Sequence, residues 1–459
     1  MATLEFDLLV IGDGAAGSSA VTNLQGRQLK IALVERDKLG GTCLNYGCDP
    51  TKALLHIASQ LHNARHSQKL GLQILDGGFS WGKVLERVRH VQSQIRGGTP
   101  EEAERNYKEA TLFKGQARFV SPHEVEVNGQ RLRADRIIIA TGTIPAVPAI
   151  KGLKEAGYIT NTEAVALPEL PKRLAILGGG PIGIEFSQIF ARFGVQVTVL
   201  EKAPDLLATE DRALVDRLVS LLGKEGVSFR AGVEVVEVRQ EATGKRLLLQ
   251  KKDGEQSELV VDQILVAVGR SPALDGLNLA AAGVETTEKG VRVDETLRTN
   301  VPHIWAAGDI ACKYQFTHVA SEQGKRAALN AFAPQPEPFD EKVIPWGIYT
   351  YPSIAHVGKT EQELKDAGQE YVAVLHTFEE LARAVTDDQT AGMVRLLADR
   401  AGRILGGHIL ANNAGDLLAP LVIAMRTGWT VKILAETVQP YPTLAEAVSQ
   451  AAQKLQEKL

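Results

Sequence analysis

Two cysteines, Cys43 and Cys48, stand in the run Gly40-Gly41-Thr42-Cys43-Leu44-Asn45-Tyr46-Gly47-Cys48-Asp49-Pro50-Thr51-Lys52, in a chain of 459 residues with only three cysteines. They are too close in sequence to staple a long loop. A short, accessible bridge suits redox cycling more than stabilisation. Five residues along a regular helix rotate by about 140°, so a Cys43–Cys48 bridge predicts a distorted first turn at Cys43. Two other readings stay open: inert buried thiols, or a zinc site. The zinc reading is short of ligands, because Cys312 is the one further cysteine and structural zinc prefers four Cys/His donors. Lys52 falls one helical turn after Cys48. A cation there stabilises a thiolate, unless it is simply a solvated surface lysine.

The elements around this run are two dinucleotide-binding units. The apolar run Leu8-Leu9-Val10-Ile11 reads as a strand buried in a parallel sheet. Gly12-Asp13-Gly14-Ala15-Ala16-Gly17 follows, then a small-residue helix to about Leu24, the strand Ile31-Ala32-Leu33-Val34 and Glu35. The pattern recurs as Leu174 to Leu177, Gly178-Gly179-Gly180-Pro181-Ile182-Gly183, a helix to Phe193 and a strand Val195 to Leu200 ending at Glu201. In such turns Gly12, Gly14 and Gly17, and likewise Gly178, Gly180 and Gly183, let backbone N–H groups approach a pyrophosphate at a helix N-terminus. Glu35 and Glu201 are the candidate acceptors of ribose hydroxyls. Asp13 is out of place in a phosphate-facing turn and is expected to point away. Two nucleotide sites and one close cysteine pair imply a relay in which hydride enters from a nicotinamide, crosses a flavin and leaves as a dithiol.

Bulk properties narrow the class. The length predicts two to four domains. Hydrophobic residues at 44% and charged residues at 23% are ordinary for a globular protein. A net charge of −4 gives no basic field for nucleic acid or anionic membrane. Three cysteines make no secreted disulfide scaffold, so a reducing cytoplasm is expected. Met1 to Asp7 carries no basic n-region, and Leu8 to Ile11 is too short for a signal peptide or membrane span. Pro334 and Gln335-Pro336-Glu337-Pro338 read as a linker. Beyond it, strand-like runs at Tyr371 to Leu375 and Met393 to Leu397 precede helices at about Asp416 to Arg426, Val431 to Thr437 and Leu444 to Lys454, which together predict a separate α+β domain.

The cysteine run resembles the active-site signature of the pyridine nucleotide–disulfide oxidoreductases, flavoproteins that include dihydrolipoamide dehydrogenase, glutathione reductase and mercuric reductase. The resemblance spans essentially the whole chain. It implies an α/β protein with two Rossmann-type dinucleotide-binding domains, for FAD and NAD(P), and a C-terminal α+β dimerisation domain. The expected boundaries are 1–148 and 274–334 for the FAD-binding parts, 149–273 for the NAD(P) domain and 335–459 for the dimerisation domain. Ile139-Ala140-Thr141-Gly142 resembles the crossover out of the FAD domain, Val268-Gly269-Arg270-Ser271-Pro272 the return strand, and Ala306-Ala307-Gly308-Asp309 the second FAD motif, with Asp309 on the ribityl chain. Gly41, Thr42, Ala117, Thr141, Gly142, Gly269, Arg270, Gly308 and Ala320 join the implied cofactor contacts. By the same resemblance Cys43 is the interchange thiol, Cys48 the charge-transfer thiol, and Glu185 pairs with Lys52 beside the flavin. The implied assembly is a homodimer in which one subunit's C-terminal domain completes the other's active site.

Two departures bear on the acceptor. Family disulfide reductases usually carry His-Pro-Thr-x-x-Glu near the C-terminus, where His and Glu do acid–base work. This chain reads Tyr441-Pro442-Thr443-Leu444-Ala445-Glu446. Imidazole titrates near neutrality and a phenol at about 10, so dithiol–disulfide exchange is expected to be weak. A tyrosine there, and the stretch Gln315-Phe316-Thr317-His318-Val319-Ala320, resemble the mercuric reductases. Yet that branch's C-terminal vicinal cysteines are missing, since the tail ends Lys454-Leu455-Gln456-Glu457-Lys458-Leu459. Glu201 favours NADH over NADPH, because a carboxylate repels a 2′-phosphate and Lys202 is a lone cation. The expectation is an FAD enzyme passing electrons from NADH to a soft metal ion, small electrophile or disulfide, with no resident metal. A dihydrolipoamide dehydrogenase with tyrosine for histidine, and an electron-transfer flavoprotein serving a protein redox partner, are the alternatives.

Overall fold

The computed structural model describes residues 2–74, 78–311 and 313–459; Cys312 lies outside them. Among the described residues the main sheets are a mixed nucleotide-binding sheet with a parallel core, an all-parallel second nucleotide-binding sheet and a C-terminal antiparallel sheet.

The first unit starts with β1 (Leu4–Ile11), α1 (Ala15–Thr22) and β2 (Ile31–Glu35). β1 begins four residues earlier than its apolar run predicts. Its leading residues Leu4 and Glu5 are exposed, and backbone pairing with Leu132 and Arg133 extends the strand there. The buried run Leu8 to Ile11 pairs in parallel with Ile31 to Val34 on one side and Arg136 to Ile139 on the other. The sheet is completed on the far side by Ile304–Ala306, which pairs with Ile137 to Ile139. That pairing returns Gly308 and Asp309 to the end of β1 where Gly12 turns. Ligands in open α/β sheets bind outside the carboxyl ends of the strands, and these turns lie there.

The second unit repeats the first. Arg173–Leu177, Gln196–Leu200, Ser228–Arg230 and Gln263–Val266 make a four-stranded parallel sheet, with the helix Pro181–Arg192 after the first strand. The two turns share one packing device. A Cβ on Gly17 would fall 1.8 Å from the carbonyl oxygen of Gly12, and one on Gly183 would fall 2.0 Å from that of Gly178. Any side chain there would push the helix off its strand. Glu35 and Glu201 also behave alike. Glu35 accepts from the N–H of Asp13 (2.8 Å) and of Asp37 (2.7 Å), and Glu201 from that of Gly179 (2.7 Å) and of Ala203 (2.7 Å). Each acid clamps its own glycine turn to the end of the following strand.

The third sheet runs Pro345–Ile348, Ser353–Gly358, Ile404–Ala411, Met393–Ala398, Val372–Thr377, all antiparallel. Ala414–Thr427, Val431–Glu436 and Glu446–Gln456 bury their apolar faces against it. The predicted strands and helices of this region are all present, with ends shifted by a few residues.

Candidate active site

The cysteines sit on two helices, not one. α2 (Gly41–Tyr46) carries Cys43; α3 (Cys48–Arg65) starts at Cys48. The expected distortion at Cys43 is therefore corrected: the break is at Gly47, whose φ −122° and ψ −112° are non-helical. That break removes the 140° rotation a continuous helix would impose and lets the two thiols hydrogen-bond. Both are free thiols. The Cys48 thiol is pulled down to about 6 by the hydrogen bond from Cys43, against burial, with Thr317 and Lys52 adding to the pull. The Cys43 thiol moves up, because it donates to Cys48 and is partly buried. The Cys48 sulfur lies 3.3 Å from the Thr317 hydroxyl.

Lys52, one turn along α3, donates to both oxygens of Glu185 at 3.0 and 2.8 Å. Glu185 also accepts from the Tyr349 N–H at 2.8 Å, and the ammonium lies 4.6 Å from the Tyr349 ring centre. Burial works against the charge on Lys52, but Glu185 outweighs it and holds the ammonium above its ordinary range.

A cavity of ≈ 1870 Å³ runs through this junction. Gly12, Gly14 and Glu35 line it, with Gly41, Thr42, Cys43, Cys48 and Lys52. Thr141, Gly142, Glu185, Gly269 and Arg270 form further wall, and Gly308, Asp309 and Ala320 close it. Arg270 donates to the hydroxyl and carbonyl of Thr143 at 2.7 Å each, and Thr143 donates to Asp309 at 2.9 Å. Sequence reasoning missed Thr143, Thr317 and Tyr349. Their signal was their place: Thr143 follows Gly142 directly, and Thr317 opens a helix after the second FAD motif.

Other expected residues lie elsewhere. Gly17 and Gly183 stand behind their turns, and Ala117 is buried in the first unit's apolar core. Gly178, Gly180 and Glu201 form the second turn, outside this cavity's wall. Tyr441 is 75% exposed, and Glu446 accepts from the Thr443 N–H at 3.0 Å at the start of the last helix. Neither reaches the cysteines of its own chain's cavity. Asp13 does point away from the cavity, and the structure gives it a role: its carboxylate accepts from the Gly40 N–H at 2.9 Å, tying the first glycine turn to the turn that launches the cysteine helix.

A dinucleotide fits this wall. Nothing lies within 4 Å of where a Cβ on Gly14 would be, leaving the N-terminus of α1 open to a phosphate. The buried Thr141 hydroxyl, also on the wall, has no protein partner. Two dinucleotide turns flanking a paired dithiol define a flavoprotein disulfide reductase. The chain belongs to the pyridine nucleotide-disulphide oxidoreductase family: that family's model matches residues 6–324, and its dimerisation-domain model matches residues 344–452. It is an enzyme of this family, using FAD and a pyridine nucleotide, with a domain built for homodimerisation. A mercuric reductase of Lysinibacillus sphaericus is 34% identical over 97% of this chain and 82% of its own. A dihydrolipoyl dehydrogenase of Thermus scotoductus is 37% identical over 99% and 98%. The Cu(II) complex of the HOCl-induced flavoprotein disulfide reductase RclA from Escherichia coli superposes with a TM-score of 0.87 at 28% identity, over 99% of this chain and all of that one. Among the described residues no helix is long and apolar enough to cross a membrane.

Proposed function

We propose that this enzyme oxidises NADH and delivers the electrons, through Cys48 and Cys43, to a thiophilic metal ion or small electrophile. The reading is carried by the polarised thiol pair, in which Cys48 is held as a thiolate near neutral pH while Cys43 keeps its proton at the cavity wall. FAD, when bound, supplies the two-electron relay between the nicotinamide and this pair. Cys48 faces that relay, steadied by Thr317 and the Lys52 ammonium, and Lys52 is fixed by Glu185. Cys43 is the thiol that meets the acceptor. Glu35, Arg270 and Asp309, with the glycine turns at Gly12 and Gly308, hold FAD; Gly178, Gly180 and Glu201 hold the nicotinamide nucleotide and favour NADH. The domains follow the boundaries 1–148 with 274–334, 149–273 and 335–459. The few cysteines support a reducing cytoplasm.

A metal acceptor is supported by three things. Tyr441 replaces the histidine that serves dithiol exchange. The curated relatives include mercuric reductases, and the RclA structure is a copper complex. Electrons balance as NADH + Hg²⁺ → NAD⁺ + H⁺ + Hg⁰, or as NADH + 2 Cu²⁺ → NAD⁺ + H⁺ + 2 Cu⁺. A second reading, a dihydrolipoamide dehydrogenase with Tyr441 in the histidine's place, draws on the 37% identical relative. The test is steady-state NADH oxidation by the purified dimer with Hg²⁺, Cu²⁺, lipoamide, glutathione disulfide, quinones and O₂. Metal-dependent turnover lost in Cys43→Ser is expected. Turnover on lipoamide exceeding that on either metal would overturn the reading. NADH oxidation with none of these acceptors would point to a protein redox partner.

A further inference from the structure

Away from the cysteines, four side chains form a row across the C-terminal sheet. Trp346 is the register partner of His356, His356 of His408, and His408 of Arg395. The row packs on two adjacent acids of the second nucleotide-binding unit, Glu210 and Asp211, both buried. Glu210 accepts from the Trp346 indole N–H at 2.7 Å and lies 3.2 Å from His356 Nδ1. His408 Nδ1 lies 3.2 Å from the same His356 nitrogen.

Tautomers leave a remainder of one proton. His356 Nε2 faces the carbonyl oxygen of Gly358 at 2.9 Å, and His408 Nε2 faces that of Lys359 at 3.0 Å. A carbonyl only accepts, so both Nε2 atoms carry hydrogen. Were both rings neutral, their Nδ1 lone pairs would point at each other and at a carboxylate, with the His356 and Glu210 side chains each only 1% exposed. One hydrogen between them resolves this. Burial pushes His408 well below the ordinary histidine range, which makes its Nδ1 the acceptor. The Trp346 ring stacks on His356 with centroids 3.6 Å apart, a geometry that favours a cation.

The row reaches the cysteines through one strand. Trp346 stacks on Phe316 at 5.6 Å, and His318 Nε2 donates to the Pro345 carbonyl at 2.8 Å. Phe316 and His318 flank Thr317, the partner of Cys48. Pro345–Ile348 thus grips the chain on both sides of that hydroxyl.

We propose that Glu210, His356 and His408 form a positioning cluster that holds one proton at neutral pH, and that this charge fixes Trp346, and through it Thr317 against Cys48. This rests on the reading of Cys48 as the low-lying thiol but not on the identity of the acceptor. The other charged groups facing the row are Asp211, whose carboxylate lies 3.4 Å from Arg395, and Glu361, 3.7 Å from it. Those charges belong to Arg395 and leave Glu210 to balance the shared proton.

The test uses the FAD-loaded dimer. In ¹⁵N-histidine-labelled wild type at pH 7.5 (about one unit above an ordinary histidine), one buried ring is expected with both nitrogens protonated and its neighbour with a bare Nδ1. Two neutral rings, or a stoichiometric divalent metal found on elemental analysis and released by chelator, would overturn the proposal without any variant being made. Glu210→Gln removes the counter-charge. Its expected effects are loss of the doubly protonated ring and an upward move of the Cys48 alkylation midpoint by about half a unit, a threefold change in the thiolate equilibrium. A folded Glu210→Gln enzyme with the wild-type alkylation midpoint would reduce the cluster to domain packing and defeat the positioning role. A wild-type Cys48 that alkylates as an ordinary thiol would instead defeat the reading of Cys48 itself, leaving the histidine result standing.

Discussion

Lys52 and Glu185 come from different nucleotide-binding units, 133 residues apart, and meet with both carboxylate oxygens 2.8–3.0 Å from the ammonium. The pair joins the helix that begins at Cys48 to the helix that follows the second glycine turn. Lys52 is also one of the groups that pull the Cys48 thiol down. Lys52→Met should therefore raise the Cys48 midpoint and slow iodoacetamide alkylation at pH 6–7 (pH values about where wild-type Cys48 titrates). It should also destabilise the protein, since Glu185 is left buried with only the Tyr349 N–H. The cost is at most about 3 kcal/mol, because the lysine end is a third exposed and screened. An unchanged alkylation profile in the folded variant would remove Lys52 from the thiolate's support.

The Cys48 thiol itself carries a sharper expectation. Its value of about 6 against the ordinary 9.0 means that the thiolate is present above pH 6 and lost below it. Alkylation of the NADH-reduced enzyme should rise through a midpoint near 6, and Cys48→Ser should abolish that phase. A midpoint near the ordinary value would contradict the geometry at Gly47 and Thr317.

Asp13 is a carboxyl pushed up to about 7, chiefly by burial, with the Gly40 N–H bond pulling the other way. A carboxyl raised in the fold binds its proton more tightly there than in the unfolded chain. Its contribution to stability is then fully present at low pH and declines as pH rises from about 4 toward 7. Asp13→Asn keeps an acceptor for Gly40 without the charge. It should leave thermal stability close to wild type only at or below about pH 4 and raise it at pH 8, by about 1–3 kcal/mol. Equal loss at both pH values would mean that the carboxylate, not merely an oxygen acceptor, is required.

Glu201 clamps the second glycine turn, and the proposed function assigns it the ribose of the nicotinamide nucleotide. Glu201→Gln should narrow the preference for NADH over NADPH by about 1–3 kcal/mol in kcat/KM, the scale of a buried group left unpaired. A wild-type enzyme already more efficient with NADPH would refute the assignment of this acid.

Tyr441 separates the two acceptor readings. If dithiol exchange is limited by the missing imidazole, Tyr441→His should raise dihydrolipoamide turnover by about tenfold or more. If Tyr441 positions an electrophile at the partner subunit's cysteine pair, Tyr441→Phe should lower metal-dependent turnover while NADH-driven flavin reduction is unchanged. Should neither substitution alter any oxidative half-reaction, Tyr441 serves packing between subunits.

Local pattern determined much of this protein. The glycine turns at Gly12 and Gly178, the acids 23 residues on, the buried strands and the Cys43–Cys48 spacing are short-range features, and backbone sterics fix their local form: Gly17 and Gly183 are the only residue type that fits under a carbonyl oxygen at about 2 Å. Through resemblance, the motifs also named partners far apart in sequence, such as Lys52 and Glu185. What the tertiary structure alone decided depends on approach between elements that carry no shared signal. The helix break fell at Gly47, whose non-helical backbone ends one helix and starts the next between the two cysteines. Asp13 found its purpose in the Gly40 amide, 27 residues away. Thr317 reached Cys48 from 269 residues on. The Glu210–His356–His408 cluster is invisible in sequence because cross-strand register and domain packing, not spacing along the chain, bring a carboxylate and two imidazoles into one closed site.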